Sequence, residues 1–322
     1  MSKHAEDGSD LPILLTMGEP SGIGPEIAVA AFQALRGRIG NHRLKLVGDP
    51  IVFRNCGFAD AGAVIATKAS ALRTPGTASA HNAAAVIEAI ETSAALAGSR
   101  KAAAIVTAPI NKAVLVHAGF KYPGHTEFLE ALTKVPRAVM MLASDKLRVV
   151  PLTIHMKLSD VPRAITSEAI VATSEIVLAA LMRYFAIMAP RLVVAGLNPH
   201  AGEEGVLGSE DAAIIEPAVE QLRSRGHHVH GPMPADTLFH AEARARYDAA
   251  LCMYHDQALI PIKTLSFWDA VNVTLGLPFI RTSPDHGTAL DIAGTGKADA
   301  RSMIAAIRLA AQMADAPQAT RR

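Results

Sequence analysis

Aromatic residues are scarce in this 322-residue chain: they make up 4% of it, with a single tryptophan. A core with so few rings must be filled by Ala, Val, Ile and Leu, and hydrophobic residues do make up 50% of the sequence. That balance favours helices packed on parallel strands. Cysteine is almost absent. Cys56 and Cys252 lie far apart, with neither metal-ligand nor redox spacing, which excludes a disulfide framework and predicts a reduced, cytoplasmic protein. Charge of either sign is not in excess. The formal net charge is +1, with acids and bases interspersed, so there is no electrostatic footprint for nucleic acid or an anionic membrane. The stretch 1–10 is polar and lacks the apolar run of a signal peptide. The most apolar helical stretch, around 175–188, is interrupted by Arg183 and is too short to span a bilayer. Repeats, low-complexity segments and linkers are missing as well. A soluble protein is expected, with two ordinary domains or one large α/β domain with a deep cleft.

Histidine is plentiful, at 13 residues, and three of them share a context. His155 closes the run Val149-Val-Pro-Leu-Thr-Ile154, His200 follows Leu192-Val-Val-Ala-Gly-Leu-Asn-Pro199, and His255 follows the apolar stretch 249–253. The loops behind strands in open α/β sheets hold polar groups above a rigid apolar platform. Three imidazoles at three such places point to one divalent metal gathered from distant parts of the chain, with Asp256 or a substrate oxygen completing an open coordination shell. Such a metal acts as a Lewis acid on a hydroxyl or carbonyl oxygen. Lys263 is then a candidate general acid/base, provided its pKa is lowered. Taken singly, each histidine reads more readily as a structural or surface residue than as a ligand.

Along the chain, a buried strand at 11–16 runs into Met17-Gly-Glu-Pro-Ser-Gly-Ile-Gly-Pro-Glu26 and a helix to about 35. The turn either presents backbone N–H groups to an anion or is merely tight; its spacing is neither the Walker nor the Rossmann pattern. Further strands are expected at 43–47, 102–106, 149–154, 192–197, 249–253 and 270–275, and helices at 81–96, 167–185 and 300–313. Lys112, behind a strand, either pairs with a substrate anion or is a solvated lysine at a helix start. Gly124-His-Thr-Glu127 opens a helix to about 132 and cradles a phosphate or carboxylate, unless Thr126 is simply its cap and His125 incidental. Ser209 is expected to cap a helix ending near 226, and 231–236 to be extended loop. Asn272 lies on a strand, and Arg281 is a natural bidentate clamp for an anion. The glycine-rich 288–299 suits the close approach of a ligand. Alternation of strands and helices argues a continuous α/β architecture with parallel strands.

The motifs Met17-Gly-Glu-Pro-Ser-Gly-Ile-Gly-Pro-Glu, Thr107-Ala-Pro-Ile-Asn-Lys, Gly124-His-Thr-Glu-Phe-Leu, Asn198-Pro-His-Ala-Gly-Glu, Met253-Tyr-His-Asp-Gln and Arg281-Thr-Ser-Pro-Asp-His-Gly-Thr-Ala-Leu-Asp-Ile-Ala-Gly resemble, in order and over 11–313, the 4-hydroxythreonine-4-phosphate dehydrogenase family. The resemblance implies an isocitrate/isopropylmalate dehydrogenase-like α/β fold, with two α/β domains and a cleft between them. These would be 1–125 plus 272–322, and 126–271, the second carrying most metal ligands. It implies that His155, His200 and His255 bind a divalent metal (Zn, Mg, Co or Mn) at a site shared between the subunits of a homodimer. By the same resemblance His125, Thr126, Lys263, Asn272 and Arg281 bind a small phosphorylated amino acid, while Lys263 and Asp256 are the candidate catalytic groups. Asp285, His286, Gly287, Asp291 and Gly294 fall in a loop similar to the adenosine-binding loop of the related dehydrogenases, and imply NAD or NADP. The implied reaction oxidises 4-hydroxy-L-threonine 4-phosphate to 2-amino-3-oxo-4-phosphooxybutanoate, which loses carbon dioxide to give 3-amino-2-oxopropyl phosphate, in pyridoxine phosphate synthesis. Glu19, Ser21 and Ala258 stand where the family more usually has Asp, Ala and Gly.

Two rival classes keep the histidines. A paralogue would act on D-threonate or D-erythronate 4-phosphate or a cis-dihydrodiol. A metal-dependent hydrolase or aldolase would dispense with a nicotinamide, and the glycine-rich loop after His286 argues against it.

Overall fold

The computed structural model describes residues 10–317, and the chain divides into two compact units, one of residues up to 138 together with 271–315, the other of 139–270. Among the described residues no single helix is long and apolar enough to cross a membrane.

In the first unit seven strands form an α/β sheet: β1 (Ile13–Thr16), β2 (Arg38–Ile39), β3 (His42–Gly48), β4 (Val64–Ala66), β5 (Ala104–Val106), β11 (Val271–Leu275) and β12 (Ile280–Pro284). Their order is β2-β3-β1-β5-β12-β11, with β4 pairing β3. The strand β1, Ile-Leu-Leu-Thr, is buried at every position and runs parallel to both β3 and β5. A strand covered on both faces reads as an unbroken apolar run. The parallel expectation holds for the centre of this sheet, whereas β2–β3 and β11–β12 are antiparallel. The last of these follows from the turn Gly276-Leu-Pro-Phe279, too short for a crossover.

The helices of this unit are α1 (Gly24–Ala34), α2 (Pro50–Arg54), α3 (Ala83–Gly98), α4 (Lys112–His117), α5 (His125–Thr133) and α11 (Arg301–Asp315). Small residues let α3 lie close to the sheet: Ala83, Ala85, Val86, Ala89 and Ile90 are buried, and all of these but Ala85 join Leu14, Val47, Ile105, Phe128 and Leu129 in one core. Phe120, Tyr122 and Phe128 stack at centroid distances of 4.9–5.3 Å and seat α5 on that core. With the boundary at 138, α5 lies whole in the first unit, His125 and Thr126 together.

The second unit has the strands β6 (Val139–Ala143), β7 (Arg148–Pro151), β8 (Arg191–Ala195), β9 (His228–Met233) and β10 (Ala249–Cys252), ordered β6-β7-β10-β8-β9. Its helices are α6 (Val161–Ala164), α7 (Ser167–Phe185), α8 (Glu216–Ser224), α9 (Ala241–Arg244) and α10 (His255–Ser266). The three central strands, β7, β10 and β8, are parallel, so the segments bearing His155, His255 and His200 all follow the same, carboxyl edge of the sheet. Helix α7 has the bounds its periodicity predicts; Thr166 caps it by accepting the Ala169 amide at 3.1 Å.

Three local expectations are corrected. The segment 231–236 is not all loop, because β9 continues to Met233 as an edge strand beside β8, where Pro232, after a cis peptide, removes no needed donor. Ser209 does not cap α8 with its side chain: the helix is entered through a π-helical turn, Asp211–Ile215, that has no side-chain cap. Thr126 does not cap α5 either, since Gly124 holds the cap position in an extended conformation.

Candidate active site

In the first unit the site residues collect around Arg281. It lies on β12, only 3% exposed, opposite Thr274 in the antiparallel register. Its Nε and Nη2 donate to Thr107 Oγ1 at 3.1 and 2.6 Å, and its Nη1 donates to Thr274 Oγ1 at 2.9 Å. A guanidinium carries five N–H donors in a planar fork. These three contacts leave one N–H on each terminal nitrogen, the pair that grips an anion bidentately. Burial pushes the Arg281 pKa down to about 10, against the opposing pull of the Glu127 carboxylate. It therefore stays charged at neutral pH.

His125 opens α5. Burial, then the Arg281 and Lys112 cations, hold its pKa well below the usual imidazole range, so it is neutral at pH 7. Its Nε2 is buried without a hydrogen-bond partner, as is Asn272 Oδ1 on β11. Thr126 follows at the second helical position. Lys112 starts α4, and its Nζ lies 3.5 Å from where a Cβ on Gly124 would be. The cluster thus combines two cations, one carboxylate, a neutral imidazole and the positive end of a helix. Unpaired buried polar atoms carry a free-energy penalty until something bonds them. An anion with both donor and acceptor groups satisfies this set.

In the second unit His155 and His255 come together, with ring centroids 6.0 Å apart and planes tilted by 40°. Both line a cleft of about 250 Å³ with Ile154, Leu158, Tyr254 and Asp256. His255 Nδ1 lies 2.7 Å from Asp256 Oδ1. A carboxylate on Nδ1 fixes the tautomer and leaves Nε2 as the metal-binding nitrogen. Asp256 is therefore placed to orient His255. His200 is not gathered with them: among the described residues no group of three or more His, Cys, Asp or Glu is placed to hold a metal ion. One chain offers a pair that fits a metal's imidazole ligands, and the trio is not complete within it.

The loop bearing His200 has an unusual backbone. His200, Ala201, Gly202, Glu203 and Glu204 all lie in the left-handed region, with φ from +43° to +83°. Non-glycine residues pay roughly 1–2 kcal/mol each for that conformation. Asp211, 1% exposed, holds the loop's root by accepting from Leu197 N (2.8 Å), Asn198 N (3.1 Å) and Asn198 Nδ2 (3.0 Å). Gln257 ties this loop to the one bearing His255, accepting from Met253 N at 2.7 Å and donating to the Gly196 carbonyl at 2.8 Å. Thr153 Oγ1 donates to the Met253 carbonyl at 2.8 Å and ties in the loop that leads to His155. Lys263 is half-buried on α10, its ammonium 5.9 Å from the Phe267 ring centroid.

The remaining expected residues, Asp285 to Gly294, follow β12 in the first unit. His286 Nδ1 faces the Gly287 carbonyl at 3.0 Å, and its buried Nε2 has no hydrogen-bond partner. A Cβ at Gly287 would meet nothing within 4 Å, so a ligand has open approach there. Asp291 is exposed, and Gly294 is at φ +76°, where a Cβ would strike Pro75. An open backbone and an orphaned imidazole nitrogen fit a nucleotide's polar edge.

Thr107, Thr274, Glu127 and Asp211 were not anticipated from the sequence. Thr107 stands behind a strand, the usual sign of a functional loop, but the partnership of Thr274 with Arg281 depends on strand register and has no local signal.

The model of the family "Pyridoxal phosphate biosynthetic protein PdxA" matches residues 28–310. A 4-hydroxythreonine-4-phosphate dehydrogenase of Roseobacter denitrificans is 54% identical over 319 residues, covering 94% of this chain and 97% of that one. The crystal structure of the Klebsiella pneumoniae enzyme of that name superposes with a TM-score of 0.84 at 38% identity, covering 97% and 99% of the two chains. A terephthalate 1,2-cis-dihydrodiol dehydrogenase from Burkholderia xenovorans is similar at greater distance, with 26% identity, a TM-score of 0.66 and coverage of 94% and 98%. With this fold and matches that run nearly end to end, the chain belongs to the PdxA family of pyridoxal phosphate biosynthetic proteins.

Proposed function

We propose that the chain is an NAD(P)-dependent dehydrogenase that oxidises 4-hydroxy-L-threonine 4-phosphate to 2-amino-3-oxo-4-phosphooxybutanoate, which then decarboxylates to 3-amino-2-oxopropyl phosphate. The observation that carries this reading is the buried Arg281 fork, held by Thr107 and Thr274 beside a neutral His125. Arg281 and Lys112 bring two positive charges to one place, which suits a dianionic phosphate better than the singly charged carboxylate of a carboxylated cis-dihydrodiol. His125 and Thr126 add donors at the start of α5, and the Asn272 Oδ1 accepts from the substrate. Lys263 takes the proton of the substrate hydroxyl as its carbon is oxidised. A nicotinamide cofactor would supply the hydride acceptor, and the loop containing Asp285, His286, Gly287, Asp291 and Gly294 would hold its nucleotide.

His155, His200 and His255 are the ligands for a divalent cation, whose Lewis acidity would favour ionisation of a hydroxyl. A homodimer completes the histidine set, since one chain assembles only a pair. The exposed apolar side chains of the second unit, among them Leu158, Val206, Ile260, Phe267 and Trp268, are in keeping with such a partner.

The test is NADH formation from 4-hydroxy-L-threonine 4-phosphate, with D-threonate and D-erythronate 4-phosphate in parallel, before and after chelation and metal return. Turnover of the first substrate alone, lost on chelation and restored by metal, supports the proposal. Turnover of only a sugar-acid phosphate would replace it with the paralogous reaction.

A further inference from the structure

The glycine-rich turn 18–26, the segment 73–76 and the loop 288–294 of the first unit form one hydrogen-bonded frame. Two of its ties are main-chain to main-chain: Ile23 N donates to the Thr288 carbonyl at 2.9 Å, and Gly76 N donates to the Ser21 carbonyl at 2.9 Å. The rest depends on two side chains. The Arg73 side chain is 5% exposed; its Nη1 donates to the carbonyls of Pro20 and Gly22, and its Nη2 to Glu26 Oε1. That same Glu26 oxygen accepts from Gly294 N at 2.7 Å.

Glu26 sits in the first turn of α1, and its carboxylate bonds to groups outside that helix, Arg73 and the Gly294 amide. Its carboxylate is the side-chain tie at the Gly294 end of the loop, while the Thr288 end is tied through backbone. Between these ties lie Ala289, at φ +43°, and the exposed Asp291. Within the loop the Ile292 and Ala293 amides donate to the Ala289 and Leu290 carbonyls at 3.2 and 3.4 Å, and Ala293 is buried. Gly294 itself must pass within contact of Pro75, so moving segment 73–76 moves the loop.

We propose that the half-buried Glu26–Arg73 pair is a positioning device for the cofactor: it fixes the height and orientation of loop 285–294 and thereby sets affinity for NAD(P), without touching the substrate cluster. This inference rests on the assignment of that loop to the cofactor made above. A charge-assisted contact at a loop end lowers the ordering entropy that the nucleotide would otherwise have to offset on binding.

The test uses Glu26→Ala, Glu26→Gln and Arg73→Lys in the full-length protein, with His286→Ala and Asp291→Ala as loop variants. The Michaelis constants for NAD(P) and for the phosphorylated substrate are measured separately, and cofactor binding is measured directly by calorimetry. Glu26→Ala is expected to raise the constant for NAD(P) about tenfold or more and to weaken calorimetric binding in step, with the substrate constant unchanged. Glu26→Gln, which keeps an acceptor for Gly294 N, recovers part of the loss. Arg73→Lys, which cannot reach three acceptors, behaves like Glu26→Ala. If Glu26→Ala does not fold, Glu26→Gln and Arg73→Lys carry the test. Equal changes in both constants, or no change in either, would overturn the inference and leave the pair merely structural. If instead the loop variants leave cofactor binding untouched, the assignment of the loop is wrong, and the inference falls with it.

Discussion

Arg281→Lys keeps the positive charge and removes the fork. In the structure three guanidinium N–H groups hold two buried threonine hydroxyls, at 2.6–3.1 Å, and two remain for a ligand. An ammonium on a shorter, differently directed stem reaches one hydroxyl at best, and presents a point charge where the ligand needs a planar pair. Losing one charge-assisted hydrogen bond to the substrate anion removes about 1.5–3 kcal/mol. At about 1.4 kcal/mol per factor of ten, kcat/KM falls roughly 10- to 150-fold, most of it in KM. The hydroxyl left without its donor adds a stability loss of about 1–3 kcal/mol, a drop of several degrees in melting temperature at roughly 2–4 °C per kcal/mol. The assay is NADH absorbance against substrate concentration, with a thermal melt of the same sample. Because the charge is retained, His125 should titrate as in the parent. Arg281→Met removes a named cause of its depressed pKa and should move its protonation up toward the ordinary 6.5. An unchanged KM in Arg281→Lys would mean that the guanidinium does not touch the substrate, and an unchanged melt would mean that the threonine contacts do not hold it.

Glu19→Gln is expected to raise the melting temperature at pH 8 and to make no difference at pH 4. Burial raises the Glu19 pKa above its ordinary 4.5, so the folded state takes up a proton more readily than the unfolded one. The charged carboxylate therefore destabilises the fold above its raised pKa, and that penalty vanishes as pH falls below the ordinary value. A lower melting temperature at pH 8 would show that the charge itself is held by Ser21 and Asn82. Asp211→Ala strips the two backbone donors at Leu197 and Asn198 of their acceptor and should destabilise by about 2–4 kcal/mol. It should also weaken binding of cobalt, followed by its visible absorption, through the slackened His200 loop; parent-like cobalt affinity would separate that loop from the metal.

The polar loops behind apolar strands and the helix at 167–185 were legible because they depend on residues near one another in sequence. Local period and capping fix α7 whatever surrounds it: Thr166 reaches only three residues ahead. The same holds for β1, whose unbroken apolar run announces burial on both faces. Other features had no local signal. β9 and the helix α10, which contains Pro261 and begins at His255, are stabilised by their neighbours rather than by propensity. The Arg281 fork exists because β12 returns antiparallel to β11 and lies beside β5, which sets Thr274 and Thr107 on either side of it. The left-handed turn at His200 persists because Asp211 holds its root through backbone donors that no sequence window pairs with it. Sequence by itself determined which chemical groups the chain brings and which elements carry them. Tertiary structure alone decided which groups meet and in which protonation state, because strand register and burial are properties of the assembled fold.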